Sequence, residues 1–511
     1  MERILTPKQM SEAEQSSVKL GVSLEKLMEN AGEAFGREIL LTAQENMLRN
    51  IIILAGNGNN GGDGFVCANF LAESGVIPTV ILMCGKPKTE LSANSFNKLH
   101  KSIKVTDKSS DDFDSILSNA EIIADCVFGT GFHGEIKSDI LPYFKDIEKS
   151  NAYKIACDCP SGVNCLNGKI SDGTLRCEKT VTFHCLKTGL NLHPAKDFCG
   201  KITVASIGIP DGWEKDLSFS INKAEKQEIQ KLLPYRERNS HKGKYGKLML
   251  ICGCEQYMGA AAICTKAALR SGIGIVNLCT SKAVVQSLVS AMPECTFTAL
   301  QADENGFITA DNTALLIERS EGCSAIIIGC GLGVTEDTKA LVYEIIKNAL
   351  CPVIIDADGI NCLSEHIDVL EEKQAEIILT PHPAELSRLC GVPVDEILSD
   401  RIRYALTLAS KYNVTVHAKG TQTITAASDG HCFVTDFGNT ALSKGGSGDM
   451  LAGLIGSFIA QGVSAINSCL LASCLMGSTA ERLAENQSER GIIAGDIISA
   501  FPQELKSWET K

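Results

Sequence analysis

Residues 51–64 read Ile51-Ile52-Ile53-Leu54-Ala55-Gly56-Asn57-Gly58-Asn59-Asn60-Gly61-Gly62-Asp63-Gly64: five apolar residues that stop at glycine and pass into a loop of glycine and asparagine. An apolar run that short predicts a strand buried on both faces of a parallel sheet. Phe65 to Ser74 then has helical spacing, so the stretch is strand, loop and helix. Upstream, Gln9 to Gly32 reads as a helix, with Leu20, Leu24, Leu27, Met28 and Ala31 on one face and Ser23 as a possible N-cap. Downstream, strands are expected at Thr79–Met83, Ile122–Cys126, Ile155–Cys157, Lys179–Phe183 and Ile202–Ile207. Strands alternating with helices predict a layered α/β domain ending near Pro210.

A second series starts at Lys247-Leu248-Met249-Leu250-Ile251-Cys252-Gly253. Its further strands are expected at Ala325–Ile328, Val353–Asp356, Ile377–Leu379 and Val414–His417. Thr423–Ala426 and Cys432–Thr435 read as a hairpin around Ser428-Asp429-Gly430. From Asp449 to about Ala480 the chain is almost all apolar and reads as buried helices. The domain junction falls between about Gly212 and Ser240. The basic, polar segment Pro234–Lys247 reads as a solvated linker; the sharper alternative has His241, Lys242 and Lys244 bordering a nucleotide site. The sequence carries no fixed-period repeat and no low-complexity tract. The expected fold class is α/β, with two three-layer αβα domains at 1–215 and 225–511.

The bulk numbers agree. A chain of 511 residues is too long for one ordinary core. With 44% hydrophobic and 21% charged residues it is globular, and a net charge of −13 argues against nucleic acid or an anionic membrane as partner. The 22 cysteines are scattered, many inside apolar runs, which suits buried free thiols in a reducing cytosol. Cys157-Asp158-Cys159 and Cys252-Gly253-Cys254 are not followed by a second pair or a histidine cluster, so no zinc site is expected. The start, Met1-Glu2-Arg3-Ile4-Leu5-Thr6-Pro7, has no signal-peptide core, and no run is long enough to span a membrane. A cytoplasmic location is expected.

Two glycine-rich loops stand out. Gly56–Gly64 follows a strand and opens a helix, where unpaired amides can hold an anion; its spacing is not the dinucleotide fingerprint. Asp125, before Phe128-Gly129-Thr130-Gly131-Phe132-His133-Gly134-Glu135, and Asp158, before Pro160-Ser161-Gly162, end neighbouring strands. Ligands of open α/β sheets bind at such ends, and a carboxylate there can move protons or hold a cation; each Asp could instead simply cap the next helix. These motifs, with Leu27-Met28-Glu29-Asn30-Ala31-Gly32, resemble the epimerase of NAD(P)H-hydrate repair. The resemblance implies a Rossmann-like domain that interconverts the R and S epimers of hydrated NADH and NADPH and binds K⁺. By position, Gly58, Asn59, Asn60, Gly61, Gly62, Gly129, Thr130, Gly131, Phe132, His133, Gly134, Glu135 and Asp158 would contact the hydrate. Asn59, Asp125 and Ser161 would bind K⁺. Asp158 would be the catalytic acid/base, helped by Lys187; Asp63 would be structural.

The second loop, Lys444-Gly445-Gly446-Ser447-Gly448-Asp449, enters an apolar helix. Its free amides can hold a phosphoryl group, and Asp449 can accept a proton from an attacking hydroxyl. The spacing is not that of a P-loop; a tightly packed helix entry is the alternative. Lys419-Gly420-Thr421-Gln422-Thr423 and Thr380-Pro381-His382-Pro383 also end strands, and Gly329-Cys330-Gly331 and Gly259-Ala260 are further close-approach turns. Together these resemble the ADP- or ATP-dependent NAD(P)H-hydrate dehydratase, a ribokinase-like fold. The resemblance implies that nucleotide phosphorylates the hydrate, that phosphate then leaves, and that Mg²⁺ takes part. Ala260, Gly331, His382 and Asp449 would bind the hydrate; Lys419, Gly420, Thr421, Gln422, Thr423 and Gly448 would bind nucleotide. The family usually has proline at Cys330 and a small or hydroxyl residue at Cys254, and neither cysteine is expected to carry chemistry.

The sequence thus predicts a bifunctional metabolite-repair enzyme, forming a homo-oligomer, with NADHX, NADPHX and ADP or ATP as its small-molecule partners. The runner-up is a ribokinase-type small-molecule kinase with a non-catalytic dinucleotide-binding N-terminal half.

Overall fold

A computed structural model describes residues 2–217 and 219–509. Met1, Thr510 and Lys511, at the ends of the expected domains, and Ser218, inside the expected junction, lie outside the described residues. The chain divides into two compact units, one covering residues 2–220 and one residues 221 onward.

In the first unit the seven-stranded sheet has the order Lys104–Asp107, Thr79–Leu82, Ile51–Ala55, Ile122–Cys126, Tyr153–Cys157, Lys179–Phe183, Lys201–Ala205, all parallel. The chain enters at the centre, runs out to Lys104–Asp107, then returns to the other side of Ile51–Ala55. The strand order therefore reverses between Ile51–Ala55 and Ile122–Cys126, and a crevice opens beyond their carboxyl ends. Both strands are buried along their length, as their apolar runs predict. Alternate residues serve opposite layers: Ile51, Ile53 and Ala55 join one core, Ile52 and Leu54 the other. A short parallel pair sets Ile4 against Leu186 and Leu5 against Lys187.

The single helix expected over Gln9–Gly32 is two helices. Pro7–Lys19 is capped by a Thr6–Gln9 capping box, and Leu24–Asn46 by the Ser23 hydroxyl, which accepts from Lys26 N. Gly21 at φ 94° turns the chain between them, and Leu20, expected on the apolar face, is 48% exposed. The helix expected from Phe65 begins at Asn59, so most of the glycine-rich loop is its first turn. The strands Lys104–Asp107, Ile275–Ser281 and Thr296–Leu300 were not expected. The first and last of these lie at sheet edges, where half-exposed residues leave no apolar run.

In the second unit the parallel strands are ordered Thr296–Leu300, Ile275–Ser281, Lys247–Ile251, Ala325–Ile328, Val353–Ile355, Ile377–Leu379, Thr415–Ala418. The expected hairpin, Thr423–Ala426 with His431–Thr435, continues the sheet antiparallel. Here the order reverses between Lys247–Ile251 and Ala325–Ile328. Helices Met258–Leu269, Ser447–Ala460 and Ala465–Ala484 pack into one apolar core; every residue from Met450 to Ala460 is buried. Among the described residues no helix is long and apolar enough to cross a membrane.

Candidate active sites

The first unit holds a cavity of about 670 Å³ at its strand-order reversal. Its wall includes the start of helix Asn59–Glu73, whose N-cap Gly58 offers no side chain, so the first amides keep no side-chain partner. Close packing explains the glycines. A Cβ on Gly56 would lie 2.0 Å from the Val127 carbonyl, and one on Gly61 would lie 2.1 Å from the Gly56 carbonyl.

Asp158 lines this cavity at φ 66°, a left-handed conformation costly for any residue but glycine. Its Oδ1 accepts from Lys187 Nζ at 2.7 Å and Thr182 Oγ1 at 3.1 Å, which leaves Oδ2 for a ligand. The Lys187 ammonium is fully buried and also donates to Thr182 Oγ1 and the Phe183 carbonyl, so its three hydrogens are used. Pairing with parallel strand residue Leu5 fixes the Lys187 backbone. Two more carboxyls face the same space, Glu14 from helix Pro7–Lys19 and Asp63. Burial and the Asp158 charge raise Glu14 to about 6 and push Asp63 well above its usual range.

Asp125 and Ser161 sit together in the interior. Asp125 accepts from Ser161 N at 2.7 Å, Ser161 Oγ at 2.6 Å and Val127 N at 3.2 Å; Ser161 Oγ accepts in turn from Phe128 N. Burial raises the Asp125 carboxyl to about 6, against those hydrogen bonds. The pair ties the loop 127–128 to the loop 159–161.

In the second unit the helix Ser447–Ala460 starts from Gly446 at φ 95°, again with no side-chain cap. A Cβ on Gly448 would lie 3.5 Å from Lys419 Nζ and 3.7 Å from Asp356 Oδ2, so three loops meet at the helix start. Lys419 Nζ donates to Asp356 Oδ1 at 2.5 Å and lies 3.8 Å from Glu385; Thr380 Oγ1 also donates to Asp356, at 2.7 Å. Burial alone would lower the Lys419 ammonium, but the Asp356 and Glu385 carboxylates outweigh it and hold it above its usual value. Burial, with Asp356 nearby, raises Asp449 to about 6. A carboxyl so tuned is ionised at neutral pH yet basic enough to take a proton.

His382 caps helix Pro383–Cys390: its Nδ1 accepts from Ala384 N and Glu385 N, and Nε2 lies 3.2 Å from Glu385 Oε1. That network assigns the proton to Nε2. Gly331, at φ 63°, packs on Ala260, where a Cβ would approach the Ala260 Cβ to 2.8 Å. Lys444 spends its ammonium on the carbonyls of Glu489, Arg490 and Ile492, so it braces the loop and is not turned to a phosphate.

With that geometry in view, two family models match: "YjeF-related protein N-terminus" over residues 24–189 and "NAD(P)H-hydrate dehydratase" over 248–503. The bifunctional NAD(P)H-hydrate repair enzyme of Moorella thermoacetica is 30% identical over 490 residues, covering 94% of this chain and 92% of the relative. The chain belongs to this repair-enzyme family. The Escherichia coli enzyme of the same name is 31% identical, covering 94% of this chain and 90% of the relative. Among solved structures, a Bacillus subtilis ADP/ATP-dependent NAD(P)H-hydrate dehydratase co-crystallized with ATP/Mg²⁺ is 31% identical. It covers 56% of this chain and 97% of that chain, with a TM-score of 0.48.

The repair-family residues expected from sequence fall into groups. Gly58, Asn59, Asn60, Gly129, Thr130, Gly131, Phe132, His133, Glu135 and Asp158 line the cavity. Gly61 and Gly62 are buried behind it, Gly62 against Met28, and Gly134 is exposed outside it. Asp125 and Ser161 are brought together; Asn59 is an exposed residue of the helix start. Asp63, expected to be structural, faces the cavity with Glu14 and Asp158. In the second unit Lys419, Gly448 and Asp449 converge, while Gly420 and Thr421 are exposed and Gln422 is buried. His241, Lys242 and Lys244 are exposed, but the segment expected to be a linker lies within the second unit: Lys242–Tyr245 is a short 3-10 helix, Tyr245 is buried, and Arg236 donates to the Gly272 carbonyl.

Several residues escaped sequence reading. Glu14 lies on a helix that carries no motif. Asp356 was noted only as a strand end, though strand-end acids had drawn attention elsewhere. Arg401 braces the loop after Thr415–Ala418 by donating to the carbonyls of Ala418, Lys419 and Gln422; burial lowers it to about 10.

Proposed function

We propose that the chain repairs hydrated NADH and NADPH, with residues 1–215 epimerising the R and S hydrates and residues 225–511 dehydrating the S epimer at the expense of ADP or ATP. One observation carries this reading: each unit presents an uncapped glycine-rich helix start at the strand-order reversal of its own sheet, beside a carboxylate of suitable basicity or strain. The family match over both halves supports it.

In the epimerase half, Asp158 exchanges the proton at the reacting carbon. Lys187 and Thr182 fix its Oδ1, and Glu14 and Asp63 supply neighbouring acids that can hold a proton. The first-turn amides at Gly58–Asn60 and the loop Gly129–Glu135 hold the hydrate. K⁺ would be held by Asp125, Ser161 and Asn59. The oxygen-only donor set suits a hard cation, and Asp125 and Ser161 are already 2.6 Å apart. The ion would supply fixed positive charge.

In the dehydratase half, Asp449 accepts the hydroxyl proton of the hydrate as the phosphoryl group is transferred, and the free amides at Gly448 and Asp449 stabilise its charge. Phosphate then leaves and the nicotinamide ring is restored. Lys419, positioned by Asp356 and Arg401, meets the nucleotide with Gly420–Thr423; His382, Gly331 and Ala260 border the hydrate. Mg²⁺ would be held by the phosphate oxygens of the nucleotide, a hard donor set, and would neutralise phosphate charge. The enzyme would act in the cytoplasm as a homo-oligomer.

The test is incubation with a mixture of hydrate epimers and either ADP or ATP. Both epimers should decay to NAD(P)H. Persistence of both would refute the reading, and a stable phosphorylated metabolite would indicate a kinase instead.

A further inference from the structure

Cys252 follows strand Lys247–Ile251, Cys330 follows strand Ala325–Ile328, and Cys264 lies on helix Met258–Leu269. These two strands are the neighbours between which the strand order of the second sheet reverses. The Gly253 N–H donates to the Cys330 carbonyl at 2.9 Å, which holds the two strand ends in step. The three side chains are fully buried, and their sulfurs all lie within 4.8 Å of one another. Among the described residues this is the sole grouping of three or more Cys, His, Asp or Glu ligand atoms so close together. Buried cysteines are ordinarily packing residues, but packing does not require three thiols from three elements to point at one centre.

We propose that Cys252, Cys264 and Cys330 form a binding site for a thiophilic cation of the Zn²⁺ or Cu⁺ kind. A metal–sulfur bond of about 2.3 Å puts the sulfurs of a three-thiolate site about 4 Å apart. The widest edge here needs to contract by less than about 1 Å. Thiolate donors select Zn²⁺ and Cu⁺ over Mg²⁺ or Ca²⁺. Three sulfurs complete a trigonal Cu⁺ site. Zn²⁺ takes four ligands, and Asp356 Oδ2, 3.8 Å from Cys330 Sγ, is a carboxylate within reach of a small shift. The ion would displace the thiol protons to solvent, with no change in oxidation state. It would lie under the proposed dehydratase site, since helix Ser447–Ala460 packs on Cys264: a Cβ on Gly453 would approach the Cys264 carbonyl to 2.3 Å. Metal binding there does not depend on which reaction that site performs.

The experiment uses the full-length chain, reduced and stripped with chelator. It is titrated anaerobically in one arm with Co²⁺ followed by Zn²⁺, and in another with Cu⁺ against a competing chelator. The expected result is one ion retained per chain. In the first arm, sulfur-to-Co²⁺ charge-transfer bands would mark the four-ligand site; retention in the Cu⁺ arm alone would mark the trigonal one. Cys264→Ala and Cys330→Ser should each abolish retention, and Cys432→Ser, at a buried site elsewhere, should not. Because a core variant can misfold, the unaltered protein provides a second readout. Alkylation during a short denaturant pulse should show Cys252, Cys264 and Cys330 protected by metal, with Cys432 and Cys469 unprotected. Retention in neither arm, or retention with no protection of those three thiols, would overturn the proposal.

Discussion

Lys419→Met should destabilise the second unit and should do so through Asp356. The Asp356 side chain is 1% exposed, and its Oδ1 is held by the Lys419 ammonium at 2.5 Å and the Thr380 hydroxyl at 2.7 Å. Methionine keeps the apolar stem and removes the charge, so a carboxylate is left in the interior with only the Thr380 hydroxyl and the weak Cys330 thiol as side-chain donors. Leaving one member of a buried ion pair unpaired costs about 3–5 kcal/mol. For a unit of this size that corresponds to a fall of roughly 6–12 °C in unfolding temperature. Asp356→Asn added to Lys419→Met removes that charge and should recover most of the stability. It should not recover phosphoryl transfer, because the ammonium proposed to meet the nucleotide is still missing. The chain has two tryptophans, Trp213 in the first unit and Trp508 in the second. A Trp213→Phe background therefore lets fluorescence report the second unit alone during denaturant unfolding. The reasoning fails if Lys419→Met stays within about 0.5 kcal/mol of its parent, the size of an ordinary surface change. It also fails if the double variant is no more stable than the single one.

Asp449→Asn should abolish dehydration while epimer exchange continues at its original rate; loss of both activities would contradict separate sites. With Asp449 raised to about 6, the dehydratase rate should fall about tenfold per pH unit below 6 and level off above about 7, read from a pH–rate profile at saturating nucleotide. Asp158→Ala should slow epimerisation by at least about 10²-fold with dehydration of the pure S epimer unchanged, and Glu14→Gln should flatten the acidic limb of the epimerase profile near pH 6. Asp125 has a folded-state pKa near 6 against an ordinary 3.8, so the folded state binds the extra proton. The contribution of Asp125 to the stability of the first unit should therefore be fully present below about pH 4 and lost as pH rises through 6, and Asp125→Asn should remove that component in urea unfolding. Gly61→Ala places a Cβ 2.1 Å from the Gly56 carbonyl and should cost about 1–3 kcal/mol in the same assay, with the second unit unaffected.

Local chemistry made much of this legible in the sequence. Ile51–Ala55 and Ile122–Cys126 are apolar throughout because both faces of a central parallel strand are covered, and that pattern survives in one dimension. Lys104–Asp107 and Thr296–Leu300 lie at sheet edges, keep mixed residues, and pass unseen. The break at Gly21 was missed because apolar spacing continued across it; the signals were Gly21 itself and the cap at Ser23. The helix start at Asn59 was missed because glycine and asparagine disfavour helix interiors. There they are retained by tight packing and by the need for free amides at the wall of a cavity.

The amino-acid order by itself determined two glycine-rich helix entries, the first directly after a strand, and the acids within them, because each depends on residues a few positions apart. Tertiary structure decided the partnerships. Asp158 meets Lys187 and Thr182, Asp356 meets Lys419, Glu14 and Asp63 join Asp158, and three cysteines from three elements converge. A parallel sheet gathers the carboxyl ends of strands that are far apart along the chain. The charges and thiols that share a site are therefore set by strand order, which no local spacing encodes.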